Sequence, residues 1–135
     1  MIKTPNQTQQ FSGKRLLIVE DDINSLPISS LESLKKSGLE IVILDNPYRA
    51  EEYISNKTPY DLAIIDLRLP GGRMHQGESI ARLSREINPN TPIIMVSCYG
   101  GITKPEEADR FFCKLGERDK KNLIQSITNF LTRVG

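Results

Sequence analysis

The chain has 135 residues, 18 Lys plus Arg against 17 Asp plus Glu, and a formal net charge of +1. That length suits one compact core. The balanced charge gives no support to a general nucleic-acid grip, which usually shows a basic excess or stripe. No apolar run approaches the roughly 18 to 20 residues that span a bilayer, so no membrane insertion is expected. The opening MIKTPNQTQQ has no apolar signal core, and the expected setting is cytoplasmic. Two cysteines, Cys98 and Cys113, cannot build a disulfide framework.

Residues 1–12 are polar and read as a flexible tail, leaving residues 13–135 as one domain. The first apolar run is Leu16-Leu17-Ile18-Val19. Ile28, Leu31 and Leu34 then recur at helical spacing, and Gly38 offers a stop. Ile41-Val42-Ile43-Leu44 follows, then a short helical stripe of Ala50, Tyr53 and Ile54. Leu62-Ala63-Ile64-Ile65 is the third run, and Ile80, Leu83 and Ile87 mark a helix ending before Pro89. Ile93-Ile94-Met95-Val96 is the fourth run. Residues 99–110, YGGITKPEEADR, hold few apolar positions, so a helix there is a turn or two at most. Phe111-Phe112-Cys113 is a weaker fifth run. Leu123, Ile127, Phe130 and Val134 form the last and clearest stripe.

The runs are continuous rather than alternating, and many are β-branched. Strands buried on both faces of a parallel sheet read this way. Alternation with helices predicts an α/β fold, a doubly wound five-stranded parallel sheet. In such a sheet the site lies at the carboxyl ends of the strands.

Polar groups gather at that edge. Glu20, Asp21 and Asp22 follow the first run, Asp66 the third, Ser97 the fourth and Lys114 the fifth. A single polar residue after a strand is ordinary loop chemistry. The set is not, because carboxylates crowded at one edge repel unless a cation intervenes. Two or three carboxylates suit Mg²⁺, which takes oxygen ligands and keeps several waters. A lysine and a hydroxyl beside them suit an anion held against the metal, with phosphate the leading candidate.

On the motifs RLLIVEDD, YDLAIIDLRLPGG, TPIIMVSCYG and FFCKLG, the chain resembles the receiver domain of two-component response regulators, over residues 14–135. The resemblance implies sheet order 2-1-3-4-5 with five flanking helices, the flavodoxin-like arrangement. It implies that Asp66 accepts a phosphoryl group from a histidine kinase or histidine phosphotransfer protein. Glu20, Asp21, Asp66 and the backbone carbonyl of Arg68 would then hold Mg²⁺. Ser97 and Lys114 would contact the phosphoryl group, and Ser97 and Phe111 would form the switch. Output would pass to an unknown protein target through phosphorylation-dependent binding, not to nucleic acid. Such a domain catalyses its own phosphoryl transfer and acyl-phosphate hydrolysis without being a conventional turnover enzyme.

Several features depart from that pattern. Leu115-Gly116 follows Lys114 where the family usually has proline. The 17-residue interval from Ser97 to Lys114 is short, which implies a shortened fourth helix. The segment 69–77, LPGGRMHQG, reads as a long loop, with Arg73 and His75 solvated. Cys98 and Cys113 read as buried small apolar residues, with a redox pair as the alternative. Arg118, Lys120 and Lys121 read as a solvated face.

The missing proline and short helix leave a phosphorylation-independent binding module as the alternative function. A phosphohydrolase resembling the haloacid dehalogenases would want a second Asp where Arg68 stands. No Walker-type glycine loop occurs either.

Overall fold

The computed structural model describes residues 10–68, 76–98 and 104–132. Its elements in chain order are β1 (Arg15–Val19), a single 3₁₀ turn (Ile23–Ser25), α1 (Ile28–Lys36), β2 (Glu40–Leu44), α2 (Pro47–Ser55), β3 (Leu62–Asp66), α3 (Gln76–Ile87), β4 (Ile93–Ser97), β5 (Arg110–Cys113) and α4 (Glu117–Leu131). All neighbouring strands pair in parallel, in the order β2-β1-β3-β4-β5. The doubly wound topology expected from the apolar runs is the one observed.

Successive residues of a strand face opposite sides, and this splits the core into two layers. Leu16, Ile18, Leu62, Ile64, Ile94 and Val96 pack with Leu31 and Leu34 of α1 and Leu123, Ile127 and Leu131 of α4. Leu17, Val19, Ala63, Ile65, Ile93 and Met95 pack with Ala50 and Ile54 of α2 and Ile80 and Ala81 of α3. Every residue of β3 and β4 is buried, which is why those runs show no alternation. Each such Leu, Ile or Val contributes about 1.5–3 kcal/mol on burial.

The helix ends follow local rules. Asn46 caps α2 by accepting a hydrogen bond from the Arg49 N–H at 2.9 Å, and Pro47 occupies its first turn. At the end of α1, Gly38 takes φ +96°. Its N–H donates to the Lys35 carbonyl at 2.9 Å, and the Leu39 N–H donates to the Leu34 carbonyl at 3.2 Å. That is a Schellman cap, and its left-handed position favours glycine.

Four expectations are corrected. Phe11 falls in the stretch read as a tail, yet it is 2% exposed, packs in the α1–α4 layer, and its N–H donates to the Ser37 carbonyl at 2.8 Å. The segment read as a loop to residue 77 already turns helical at Gln76. The buried stripe of α4 is Leu123, Ile127 and Leu131, with Phe130 only half-buried; the spacing of four after Ile127 wins over the spacing of three. The described residues between β4 and β5, Cys98 and 104–109, hold no helix, and the described residues carry four flanking α-helices where the resemblance implies five. Val134, Arg73 and His75 lie outside the described residues.

Side chains replace the missing helical bonds in that stretch. Arg85 of α3 donates to the Glu107 carbonyl at 3.0 Å and the Thr91 carbonyl at 3.1 Å, and pairs with Asp109 at 2.6 Å. Asp109 in turn accepts from the Ile93 N–H at 2.8 Å.

Candidate functional site

The strand register sets the site. β1, β3, β4 and β5 end at one edge, so Glu20, Asp66, Ser97 and Lys114 arrive together. The Lys114 N–H donates to the Ser97 carbonyl at 2.8 Å, carrying the β4–β5 pairing one step further. All four side chains are buried: Glu20 at 1% exposed, Ser97 at 1%, Asp66 at 5% and Lys114 at 5%. Above them opens a cleft of about 280 Å³ lined by Asp21, Asp22, Asp66, Arg68, Ser97, Cys98 and Lys114.

Lys114 holds the centre. Its Nζ donates to Glu20 Oε1 at 2.6 Å and to Asp66 Oδ2 at 2.8 Å. The Arg68 N–H donates to Asp66 Oδ1 at 3.0 Å, and the Ser25 hydroxyl donates to Glu20 Oε1 at 3.1 Å. Burial works to lower the Lys114 pKa, but the hydrogen bonds to Asp66 and Glu20 outweigh it, so the ammonium titrates above its ordinary value. The Glu20 carboxyl is pushed up to about 8, by burial first and by Asp66 beside it, with Lys114 opposing. One ammonium does not fully balance two buried carboxylates.

That shift predicts a pH dependence. A folded-state pKa raised above the unfolded value means that the folded protein holds the extra proton. The stability this contributes is complete below about 4.5 and is lost as pH rises through about 8. In chelator-treated protein the urea midpoint should fall between about pH 5.5 and about pH 8.5, and Glu20→Gln should flatten the fall. An equal slope in the variant would remove Glu20 as its source.

Carboxylate oxygens of Glu20, Asp21 and Asp66 lie within 4.8 Å of one another. Three hard oxygen donors, two of them buried and one exposed at the cleft mouth, fit a small divalent cation that keeps part of its water shell. Asp22 also lines the cleft, and its carbonyl rather than its carboxylate starts the 3₁₀ turn, accepting from the Ser25 N–H at 2.9 Å.

Phe111 is not brought into the cleft. It stands opposite Met95 in the sheet and packs, half-buried, against the α2–α3 layer. Cys98 is exposed and Cys113 half-buried, which corrects the reading of both as buried apolar residues. Leu115, in the position where the family usually has proline, is 73% exposed.

Gly77 is a site residue that sequence reasoning missed. It sits in the first turn of α3 against the Asp66–Leu67 peptide, and its N–H donates to the Leu67 carbonyl at 3.1 Å. A Cβ there would stand 2.0 Å from the Asp66 carbonyl oxygen. In the sequence Gly77 closes a stretch that reads as loop, and nothing there marks its contact with the end of β3.

Comparison with known proteins agrees with the fold. The family model described as response regulator receiver domain matches residues 16–111. The chain belongs to the response regulator receiver domain family. It is 34% identical over 97 residues to the sensor protein TorS of Escherichia coli (strain K12), covering 72% of this chain and 10% of TorS. It is 31% identical over 94 residues to the response regulator protein PilR of Pseudomonas aeruginosa, covering 68% of this chain and 20% of PilR. The chain therefore spans a fifth or less of the length of these relatives. Among solved structures it is similar to the response regulator protein TrrA from Thermotoga maritima, solved in complex with Mg²⁺–BeF, at 26% identity and TM-score 0.68 over 87% of this chain and 98% of that one. The non-phosphorylated HemR receiver domain from Leptospira biflexa shares the fold at 22% identity and TM-score 0.71, over 90% of this chain and 97% of that one. Among the described residues no helix is long and apolar enough to cross a membrane.

Proposed function

We propose that this chain accepts a phosphoryl group on Asp66 from a histidine kinase or histidine phosphotransfer protein in the cytoplasm, and signals by phosphorylation-dependent binding to a protein target. The observation that carries this reading is the Lys114 ammonium bridging Asp66 and Glu20 at the floor of an acidic cleft. The likeness to TrrA, solved with Mg²⁺–BeF, supports the choice of Mg²⁺.

Asp66 is the nucleophile. A carboxylate needs no deprotonation at neutral pH, and its oxygen attacks phosphorus as the bond to the donor nitrogen breaks. Glu20, Asp21, Asp66 and the Arg68 carbonyl would hold Mg²⁺, which would supply positive charge opposite the incoming phosphoryl oxygens. Lys114 follows the charge from the Asp66 carboxylate to the phosphoryl group, and the Ser97 hydroxyl donates to a phosphoryl oxygen. Ser97 moves toward the new charge and Phe111 repacks into the space that this movement opens. This is a two-state change biased by one local electrostatic event.

Intact-mass spectrometry after incubation with acetyl phosphate tests the reading. A phosphoryl adduct should appear on the wild type, depend on Mg²⁺, and be absent from Asp66→Asn. Adduct on Asp66→Asn would overturn the assignment. The second reading, a phosphorylation-independent binding module, is favoured by the exposed Leu115 and by the turns at 104–109. It predicts no adduct even from a histidine-phosphorylated donor.

A further inference from the structure

One small side chain ties the turn after β1 to the buried carboxylate of the site. Ser25 closes the 3₁₀ turn that follows Asp22, and it is half-buried. Its hydroxyl reaches two acceptors, Glu20 Oε1 at 3.1 Å and the Asp22 carbonyl at 2.7 Å. A serine hydroxyl carries one proton, so it serves one of them at a time. The Asp22 carbonyl has a second donor, the Ser25 N–H at 2.9 Å, and stays satisfied when the hydroxyl turns away.

Glu20 has no such freedom. Its side chain is fully buried. Oε1 accepts from Lys114 Nζ at 2.6 Å and from Ser25. Among the described residues, the donor to Oε2 is the Asp22 N–H, at a long 3.4 Å. Both firm bonds thus hold Oε1, and Oε2 is the oxygen left open to a cation. Phosphoryl transfer disturbs this balance. As Lys114 follows the charge from Asp66 to the phosphoryl group, its bond to Glu20 weakens. A buried acceptor left without its donor costs more than the bond itself is worth. Ser25 is the other donor to Oε1 among the described residues, and its proton arrives by rotation about one single bond.

We propose that Ser25 is a positioning residue for Glu20: it shares its proton with the Asp22 carbonyl while Lys114 holds Oε1, and gives that proton to Oε1 when Lys114 turns to the phosphoryl group. Glu20 then keeps one orientation throughout, with Oε2 presented to the metal. The hand-over rests on the phosphoacceptor reading above; the hold on Glu20 does not.

The test uses the full chain and two readouts. The first is Mg²⁺ affinity alone, from a titration followed by amide NMR shifts. Ser25→Ala should weaken it about tenfold, the scale on which metal sites respond to losing a bond that orients a ligand. Ser25→Thr keeps the hydroxyl and should bind Mg²⁺ like the wild type. Ser25→Val has nearly the shape of threonine without the hydroxyl and should match Ser25→Ala. The threonine and valine variants decide the matter if the alanine variant fails to fold. The second readout is the rate of acetyl phosphate labelling at saturating Mg²⁺. It should fall about tenfold in Ser25→Ala and Ser25→Val and stay near the wild-type value in Ser25→Thr. A merely structural serine would move the urea midpoint and neither readout. Equal Mg²⁺ affinity in the threonine and valine variants would overturn the hold on Glu20, and so would a wild type whose amides do not respond to Mg²⁺. A weakened affinity with an unchanged saturated rate would overturn the hand-over. If the wild type takes no label at any Mg²⁺ concentration, the phosphoacceptor reading fails instead, while the titration still decides the hold on Glu20.

Discussion

Lys114→Ala should cost about 3 kcal/mol of metal-free stability and abolish labelling by acetyl phosphate. The ammonium is 5% exposed and pairs with two carboxylates that are themselves buried. Removing one member of such a set leaves uncompensated charge, which typically costs about 3–5 kcal/mol. The lower end applies because Glu20, already pushed up to about 8, can take up a proton. The same loss makes Mg²⁺ the remaining counter-charge for the carboxylates, so the variant should gain more stability from added Mg²⁺ than the wild type does. Urea melts with and without Mg²⁺ measure both effects. An equal Mg²⁺ increment in the two proteins would mean that the lysine and the metal do not face the same oxygens.

Gly77→Ala should be the most damaging one-carbon addition near the site. Its Cβ would lie 2.0 Å from the Asp66 carbonyl oxygen and 2.8 Å from the Leu67 Cα. Both are backbone atoms of a buried strand end, so α3 must move instead. Overpacking of this kind costs about 1–3 kcal/mol, against a helical preference for alanine of about 1 kcal/mol in the other direction. Movement of α3 also strains the peptide that carries Asp66, so the labelling rate should fall along with the urea midpoint. A variant as stable and as quickly labelled as the wild type would show that α3 does not fix Asp66.

The parts of this molecule legible in sequence are those where one residue type has one reason to be present. Runs such as Leu62-Ala63-Ile64-Ile65 sit between two helical layers, and nothing but a strand buried on both faces explains them. Asp66 and Lys114 are charged residues directly after such runs, so the topology alone delivers them to one edge. Other features depend on distance across the fold. Phe11 looks like part of a polar tail until the Ser37 carbonyl is seen to hold it. Gly77 looks like loop until the Asp66 carbonyl is seen beneath it. Cys98 follows a buried strand, but the chain bends there into the open cleft, so its neighbours in sequence misstate its exposure. The turns at 104–109 depend on Arg85, a residue about 20 positions earlier that spacing rules never connect to them.

The buried Phe11 has a practical meaning for anyone grafting this domain onto another protein. A splice at Gly13, just before the first apolar run, would discard an aromatic ring from the α1–α4 layer and free the turn after Ser37. The hole would open in the layer that also buries Leu16 and Ile18 of β1, the strand that leads to Glu20. A chimera joined upstream of Gln10 keeps that plug. Comparisons among receivers excised at different points would otherwise read a missing ring as a property of the switch.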